Sequence, residues 1–202
     1  MTSPLLFREY DNLGYNLSYS DWEALRPITC AFSGHRPQSF PFKFDENSQA
    51  LVLLKKRLAQ EIEQAIQDDY SIFLSGGALG VDTWAAQIVL KFREFHYPFI
   101  RLELVLPCTG QENKWNKKSK ETYAKLIDEA DAVIRTSRQP YFEGCMKLRN
   151  EFMISRSSRL IAVWNKKPSG TSQTVAMARN QGLEVRLMDA RGEMDNQISL
   201  DI

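Results

Sequence analysis

Six short apolar runs of β type alternate along this chain with stretches whose apolar residues recur every three or four positions. That alternation restricts the fold more than any other feature, because strands and helices bury different spacings. The runs are Ile28 to Phe32, Ile72 to Leu74, Ile100 to Leu106, Ala132 to Ile134, Leu160 to Trp164 and Leu183 to Leu187. Between the first two, Leu51, Leu54, Leu58, Ile62, Ala65 and Ile66 mark an amphipathic helix over about Asn47 to Gln67. After the second, Val81, Trp84, Ala85, Ile88, Val89 and Phe92 mark another. Further helices are expected near Ser119 to Glu129, near Gly144 to Ser157, and from Ser169-Gly170-Thr171 to Gly182.

Short apolar strands separated by helices predict a mostly parallel sheet of about six strands, covered on both faces. The expected fold class is therefore α/β, a three-layer α/β/α Rossmann-like domain over residues 28–190. Such sheets hold ligands in the crevice beyond the carboxyl ends of their strands. The loops that follow the strands are accordingly the place to look for chemistry. Residues 1–27 carry Phe7, Tyr10, Tyr15, Tyr19 and Trp22 with little periodicity, and read as an aromatic-rich arm that packs on the domain or on a partner. Residues 191–202 read as a polar, frayed tail.

Charge and cysteine content narrow the setting. With 26 basic and 25 acidic side chains among 202 residues, the whole molecule exerts no net pull on nucleic acid or membrane, so any steering comes from a local patch. Cys30, Cys108 and Cys145 fit neither a disulfide framework nor a zinc pattern, which points to a reducing, cytoplasmic setting. No apolar run approaches the roughly 20 residues of a membrane span, and the first residues lack the pattern of a signal peptide. Two histidines far apart in the chain argue against a metal cluster, and no Ser/His/Asp arrangement can be inferred.

Three post-strand loops carry candidate binding residues. In Ser75-Gly76-Gly77-Ala78-Leu79-Gly80, the glycines permit positive φ and close approach of backbone to a ligand. The helix that follows aims unpaired N–H groups at the same place, which suits a phosphate. The same glycines also suit a plain tight turn, since the spacing is not GxGxxG. Asp82 either stabilises the helix dipole or accepts hydrogen bonds from a ribose. Pro168-Ser169-Gly170-Thr171 forms a second small-residue cradle, or an ordinary N-cap supplied by Ser169 or Thr171. In Ser33-Gly34-His35-Arg36-Pro37, His35 and Arg36 are placed to reach a phosphate or stack on a base, or serve structure alone.

Two basic stretches have weaker claims. Lys114-Trp115-Asn116-Lys117-Lys118-Ser119-Lys120 interleaves an aromatic with lysines as nucleic-acid surfaces do, and as solvated helix faces do more often. Lys147, Arg149, Arg156 and Arg159 make the stretch before the fifth strand basic, which would extend a phosphate site.

The segments FSGHRP, SGGALGVDTWAA, LVLPCTGQENKWNKKSKETY, CMKLRNEFMISRSSRLIAVW and PSGTSQT, in this order, resemble the YpsA-like branch of the SLOG superfamily. The likeness covers about Ala31 to Gly182 and leaves the first 27 residues unexplained. It implies a Rossmann-like fold that binds a nucleotide or a nucleotide-derived ligand such as ADP-ribose. The wider superfamily includes ligand sensors, nucleotide hydrolases and single-stranded DNA binders, and fold alone does not choose among them.

The LOG-type phosphoribohydrolases are similar through an arginine, matched here by Arg149, and through a PGGxGTxxE loop, matched by Pro168-Ser169-Gly170-Thr171 with Thr174 in place of the glutamate. A threonine supplies no charge to an oxocarbenium-like transition state, so the expectation is that this chain does not run that reaction. The DprA-like DNA binders are similar at Gly80-Val81-Asp82; single-stranded DNA binding is the alternative expectation, and N-glycosidic nucleotide hydrolysis of the LOG type the second alternative. The leading expectation is a non-catalytic module that senses a small phosphate-bearing nucleotide and signals to a partner or a second copy through the arm. Backbone donors of Gly76, Gly77, Gly170 and Thr171 would hold phosphates, Arg149 would neutralise one, and Asp82 would take a ribose. Ser33, Gly34, His35, Arg36, Ala78, Gly80, Ser169 and Thr174 complete the expected ligand contacts.

Overall fold

In a computed structural model of the chain, residues 10–11 and 19–189 are described. The arm outside Tyr10–Asp11 and 19–27, and the tail from residue 190 onward, lie outside the described residues. The elements, in chain order, are β1 (Tyr10–Asp11), α1 (Tyr19–Leu25), β2 (Thr29–Gly34), α2 (Gln49–Gln67), β3 (Ile72–Ser75), α3 (Val81–Phe95) and β4 (Arg101–Leu106). They continue with α4 (Lys117–Glu129), β5 (Ala132–Arg135), α5 (Cys145–Ser155), β6 (Arg159–Val163), α6 (Gly170–Asn180) and β7 (Glu184–Met188).

The six expected strands all form, displaced by no more than two residues at either end, and they are parallel to one another. Side chains alternate across each strand because successive Cβ atoms point to opposite faces. Cys30, Phe32, Phe73, Leu102, Leu104, Ile161 and Val163 join one apolar cluster with α2, α3 and α4. Ala31, Ile72, Leu74, Val105, Leu160 and Ala162 join a second cluster with α1, α5 and α6. A sheet buried on both faces explains why its strands read as nearly continuous apolar runs.

Two elements of the arm had no sequence signal. β1 adds an antiparallel edge next to β5, and two residues are too few to show a period. α1 is one of the helices that cover the sheet. Its Trp22 is 3% exposed and meets Phe152 edge-on with ring centroids 6.1 Å apart. Trp22 and Leu25, three residues apart, both pack on this face, but two apolar positions in a seven-residue helix are too few to establish a period.

The strand order is β1-β5-β4-β3-β2-β6-β7. The chain therefore moves outward from β2 through β3 and β4 to β5, then returns to place β6 against the free side of β2. Connections diverge at this switch between β2 and β6, opening a crevice at the carboxyl ends of the strands. The loops after β2 and β6 form its two sides.

Candidate functional site

The crevice is a cavity of about 450 Å³. Ser33 and Gly34 line it from the end of β2, His35 and Arg36 from the loop that follows, Ala78 and Asp82 from the glycine turn and α3, and Ser169, Gly170 and Thr171 from the start of α6. From α5 come Arg149 together with Met146 and Asn150, which the sequence reading missed. Positions 146, 149 and 150 lie at i, i+3 and i+4, so a helix that points Arg149 into the crevice carries the other two with it. Gln38 and Ser39, on a short turn at Pro37–Ser39, were also missed.

Four expected contacts lie elsewhere. Gly76 is covered by the Arg149 guanidinium, and a Cβ there would overlap Arg149 Nη1. The Gly77 N–H donates to Ser75 Oγ at 3.2 Å, inside the turn, and Gly77 does not line the crevice. Gly80 has φ +94°, and a Cβ there would stand 2.5 Å from the His35 carbonyl oxygen. Its task is to let the β2 loop lie directly against the start of α3. Thr174 is 3% exposed and donates to the Gly170 carbonyl at 3.0 Å while accepting from Asn150 Nδ2 at 2.9 Å. Gly34, although it lines the cavity, is also glycine for packing, because a Cβ would overlap the Val81 side chain.

The polar centre of the crevice is a buried ion pair. Arg149 Nη1 donates to Asp82 Oδ2 at 3.2 Å, and both side chains are 8% exposed. Burial raises the Asp82 pKa, against the pull of Arg149, a hydrogen bond from the Ala78 backbone and the charge of Arg36. Arg149 Nε is buried without a hydrogen-bond partner. A guanidinium has five N–H donors, so Arg149 keeps donor capacity beyond the one bond to Asp82. With Arg36 at the mouth, two guanidiniums face one carboxylate.

The sides of the crevice are held by local hydrogen bonds. Ser169 caps α6: its Oγ accepts from the Ser172 N–H at 3.2 Å, and Ser172 Oγ accepts from the Ser169 N–H at 2.9 Å. This reciprocal cap leaves Gly170 and Thr171 in the first turn, where helical amides have no partner within the helix. Across the crevice, His35 Nε2 accepts the Asn165 N–H at 3.1 Å, tying the β2 loop to the β6 loop. Only a ring unprotonated at Nε2 makes that bond, and burial lowers the His35 pKa in the same direction.

Of the second basic stretch, Arg149 lines the crevice but Lys147, Arg156 and Arg159 do not. Arg159 opens β6 at the amino edge of the sheet, where it pairs with Asp68 at 2.7 Å and Glu184 at 2.6 Å. Arg156 lies 3.6 Å over the Phe152 ring beyond the end of α5. Neither extends the crevice, because each is a strand or helix length away from it. Trp115 is half-buried against Tyr123, with centroids 5.2 Å apart, and is not an open stacking platform among the lysines.

Comparisons with known proteins agree with this architecture. The model of the YspA SLOG family matches residues 30–189. A UPF0398 protein of Halalkalibacterium halodurans is 31% identical over 141 residues, covering 68% of this chain and 74% of the relative. Another, of Bacillus thuringiensis, is 28% identical over 154 residues, covering 75% and 83%.

Among solved structures, DNA processing protein A (DprA) of Streptococcus pneumoniae superposes with a TM-score of 0.61 at 17% identity, over 91% of this chain. This chain spans 63% of that one. DprA of Helicobacter pylori, a single-stranded DNA binder, superposes with a TM-score of 0.59 at 14% identity, over 93% of this chain and 83% of that one. At these identities the likeness is one of fold. Among the described residues, no helix is long and apolar enough to cross a membrane.

Proposed function

Because this chain belongs to the YspA SLOG family, we propose that its crevice binds a phosphate-bearing nucleotide derivative of the ADP-ribose kind and does not turn it over. The observation that carries this reading is the Arg149 guanidinium, buried on the crevice wall with one nitrogen on Asp82 and Nε unpartnered. A fixed guanidinium beside the amino end of a helix suits a phosphate oxygen. In this reading Arg149 and the Gly170 and Thr171 amides hold the phosphate. Asp82 holds Arg149 in place, a different duty from the ribose contact expected of it. Arg36 and His35 stand where the sugar and base would lie.

Binding without turnover follows from the carboxylates. Among the described residues that line the crevice, Asp82 is the one carboxylate, and its Oδ2 is occupied by Arg149. Thr174 supplies no charge, and its hydroxyl already serves Gly170 and Asn150. A cytosolic setting belongs to the same proposal.

The test is thermal unfolding against nucleoside monophosphates, ADP-ribose, NAD and a short oligothymidylate. A ligand at a hundred times its dissociation constant stabilises the folded state by about 2.7 kcal/mol, which for a chain of this size raises the midpoint by roughly 5–10 °C. Gly170→Asp provides the control. A Cβ at Gly170 meets nothing within 4 Å, so the variant folds, yet it places a carboxylate where the phosphate would bind. Loss of the shift in Gly170→Asp supports the site, and an unchanged shift removes it. Single-stranded DNA binding is the second reading, favoured by the likeness of fold to the Helicobacter pylori DNA binder. It predicts a shift with the oligonucleotide alone, falling steeply with salt as phosphate contacts release counterions.

A further inference from the structure

A second cavity, of about 610 Å³, lies on the far side of the wall made by the β2 loop and the glycine turn. Pro37 and Gly80 face it, while Arg36 and Ala78 face the crevice, and no residue lines both. Its rim is the segment that leads into α2. Phe40 and Phe42 stack with centroids 4.9 Å apart, and both rest on Trp84, at 5.6 and 6.1 Å. Beyond this anchor, Lys43 takes φ +49°, in the left-handed region that a lysine seldom occupies. Strained backbone of this kind persists where surrounding structure enforces it, and is common at ligand sites. Lys43 and the next residue, Phe44, line the cavity, and Phe44 is 55% exposed.

Cations from two further elements line the same cavity. Lys55 of α2 is half-buried, with its ammonium 5.7 Å from the centre of the Trp84 ring. Burial and the charges of Lys91 and Lys118 disfavour its protonated form, while Glu46 favours it. Lys118 of α4 reaches Glu46 at 2.7 Å, both side chains being largely exposed. Lys43, Lys55 and Lys118 thus gather from a loop and two helices around one space, against Asp45 and Glu46. Gathering like charges costs energy that a bound anion recovers. An exposed pair such as Glu46–Lys118 contributes little, so exchange of that carboxylate for a phosphate oxygen is cheap.

We propose that this outer cavity is a second binding site, separate from the crevice, that takes a phosphate group of a nucleotide or of a nucleic-acid strand between Lys55 and Lys118, with Phe44 as the platform for its base. Lysines suit this as point charges, and an exposed ring accepts any base because every base has a π-face. The site does not depend on Arg149 or on what fills the crevice.

The experiment is calorimetric titration of the full chain with inorganic pyrophosphate, ADP and a short oligothymidylate, each at low salt. It uses the parent, Gly170→Asp, and Gly170→Asp combined with Lys55→Met or with Lys118→Gln. The expected result is that ADP or the oligonucleotide still binds Gly170→Asp, and that either lysine change weakens this binding tenfold or more. Tighter binding of ADP assigns the site to free nucleotides, and tighter binding of the oligonucleotide, steeply salt-dependent, assigns it to a strand. Absence of residual binding in Gly170→Asp, residual binding indifferent to both lysines, or binding of pyrophosphate alone overturns the proposal. The crevice reading is judged separately, by whether Gly170→Asp loses a site that the parent has.

Discussion

Arg149 and Asp82, 67 residues apart in sequence, meet at 3.2 Å over Gly76, and only a glycine there leaves room for the guanidinium. The glycine turn is therefore a seat for a side chain from another helix. Gly76 and Gly80, four residues apart, consequently have different duties. Gly76→Ala displaces the flexible end of Arg149 and leaves buried donors and acceptors poorly paired, costing about 1–3 kcal/mol and most of the affinity for a phosphate-bearing ligand. Gly80→Val sets a branched side chain at φ +94° against the His35 carbonyl, and the cost to folding is about 3 kcal/mol or more. Denaturant unfolding with ligand titration separates the two. Full affinity in a folded Gly76→Ala protein would show that Arg149 is not the anion receptor.

His35 makes stability fall on acidification. Its pKa in the folded state is lowered by burial, so below the ordinary value of 6.5 the unfolded chain binds more protons than the native one. The stabilisation is present above that pH and is lost as pH falls through the lower, folded-state value. Protonation at Nε2 also ends the bond from Asn165 that ties the β2 and β6 loops together. Urea midpoints measured from pH 7 to pH 5 should drop in the parent, and drop less in His35→Gln.

Asp82 acts in the opposite sense. Its carboxyl is raised above 3.8 by burial, so the native state holds its proton to higher pH than the unfolded chain does. The stabilisation from protonating this group is fully present below 3.8 and is lost as pH rises through the folded-state value. Asp82→Asn should remove this component from the acid limb of the stability curve. An identical acid limb in the variant would mean that the carboxyl titrates normally.

Among the described residues that line the crevice, Asp82 is the one carboxylate, and its Oδ2 is taken by Arg149. Incubation of the protein with nucleoside monophosphates should release no free base above the uncatalysed level, as read by chromatography. Release that disappears in Arg149→Met would show that Asp82 or a group outside the described residues supplies the missing charge. Thr174→Ala should cost about 0.5–1.5 kcal/mol through the lost bonds to Gly170 and Asn150, with ligand affinity nearly unchanged.

Trp22 binds α1 to the domain. Truncation to alanine removes a side chain that is 3% exposed and should destabilise the protein by about 3–5 kcal/mol, seen as a lower thermal midpoint. A loss under about 1 kcal/mol would mean that α1 is not part of the cooperative core.

The order of strands and helices, the two-faced burial of the sheet and the loops that form the crevice were legible in the sequence, because each depends on a local period of apolar residues. Ten of the fourteen expected contact residues line the cavity, most because they sit at strand ends and helix starts that the period marks, and Arg149 because the resemblance singled it out. Tertiary structure alone decided which polar groups face the crevice. Gly76, Gly77 and Gly80 look alike in sequence, yet one seats Arg149, one closes a turn on Ser75 and one admits the β2 loop. Arg149 and Arg159 are ten residues apart in one basic stretch, but α5 and the entry into β6 carry them to opposite edges of the sheet. The physical reason is direction. A parallel strand fixes which residues are buried through its period, but which end of the sheet a charge reaches, and which partner it meets there, depends on elements far away in the chain.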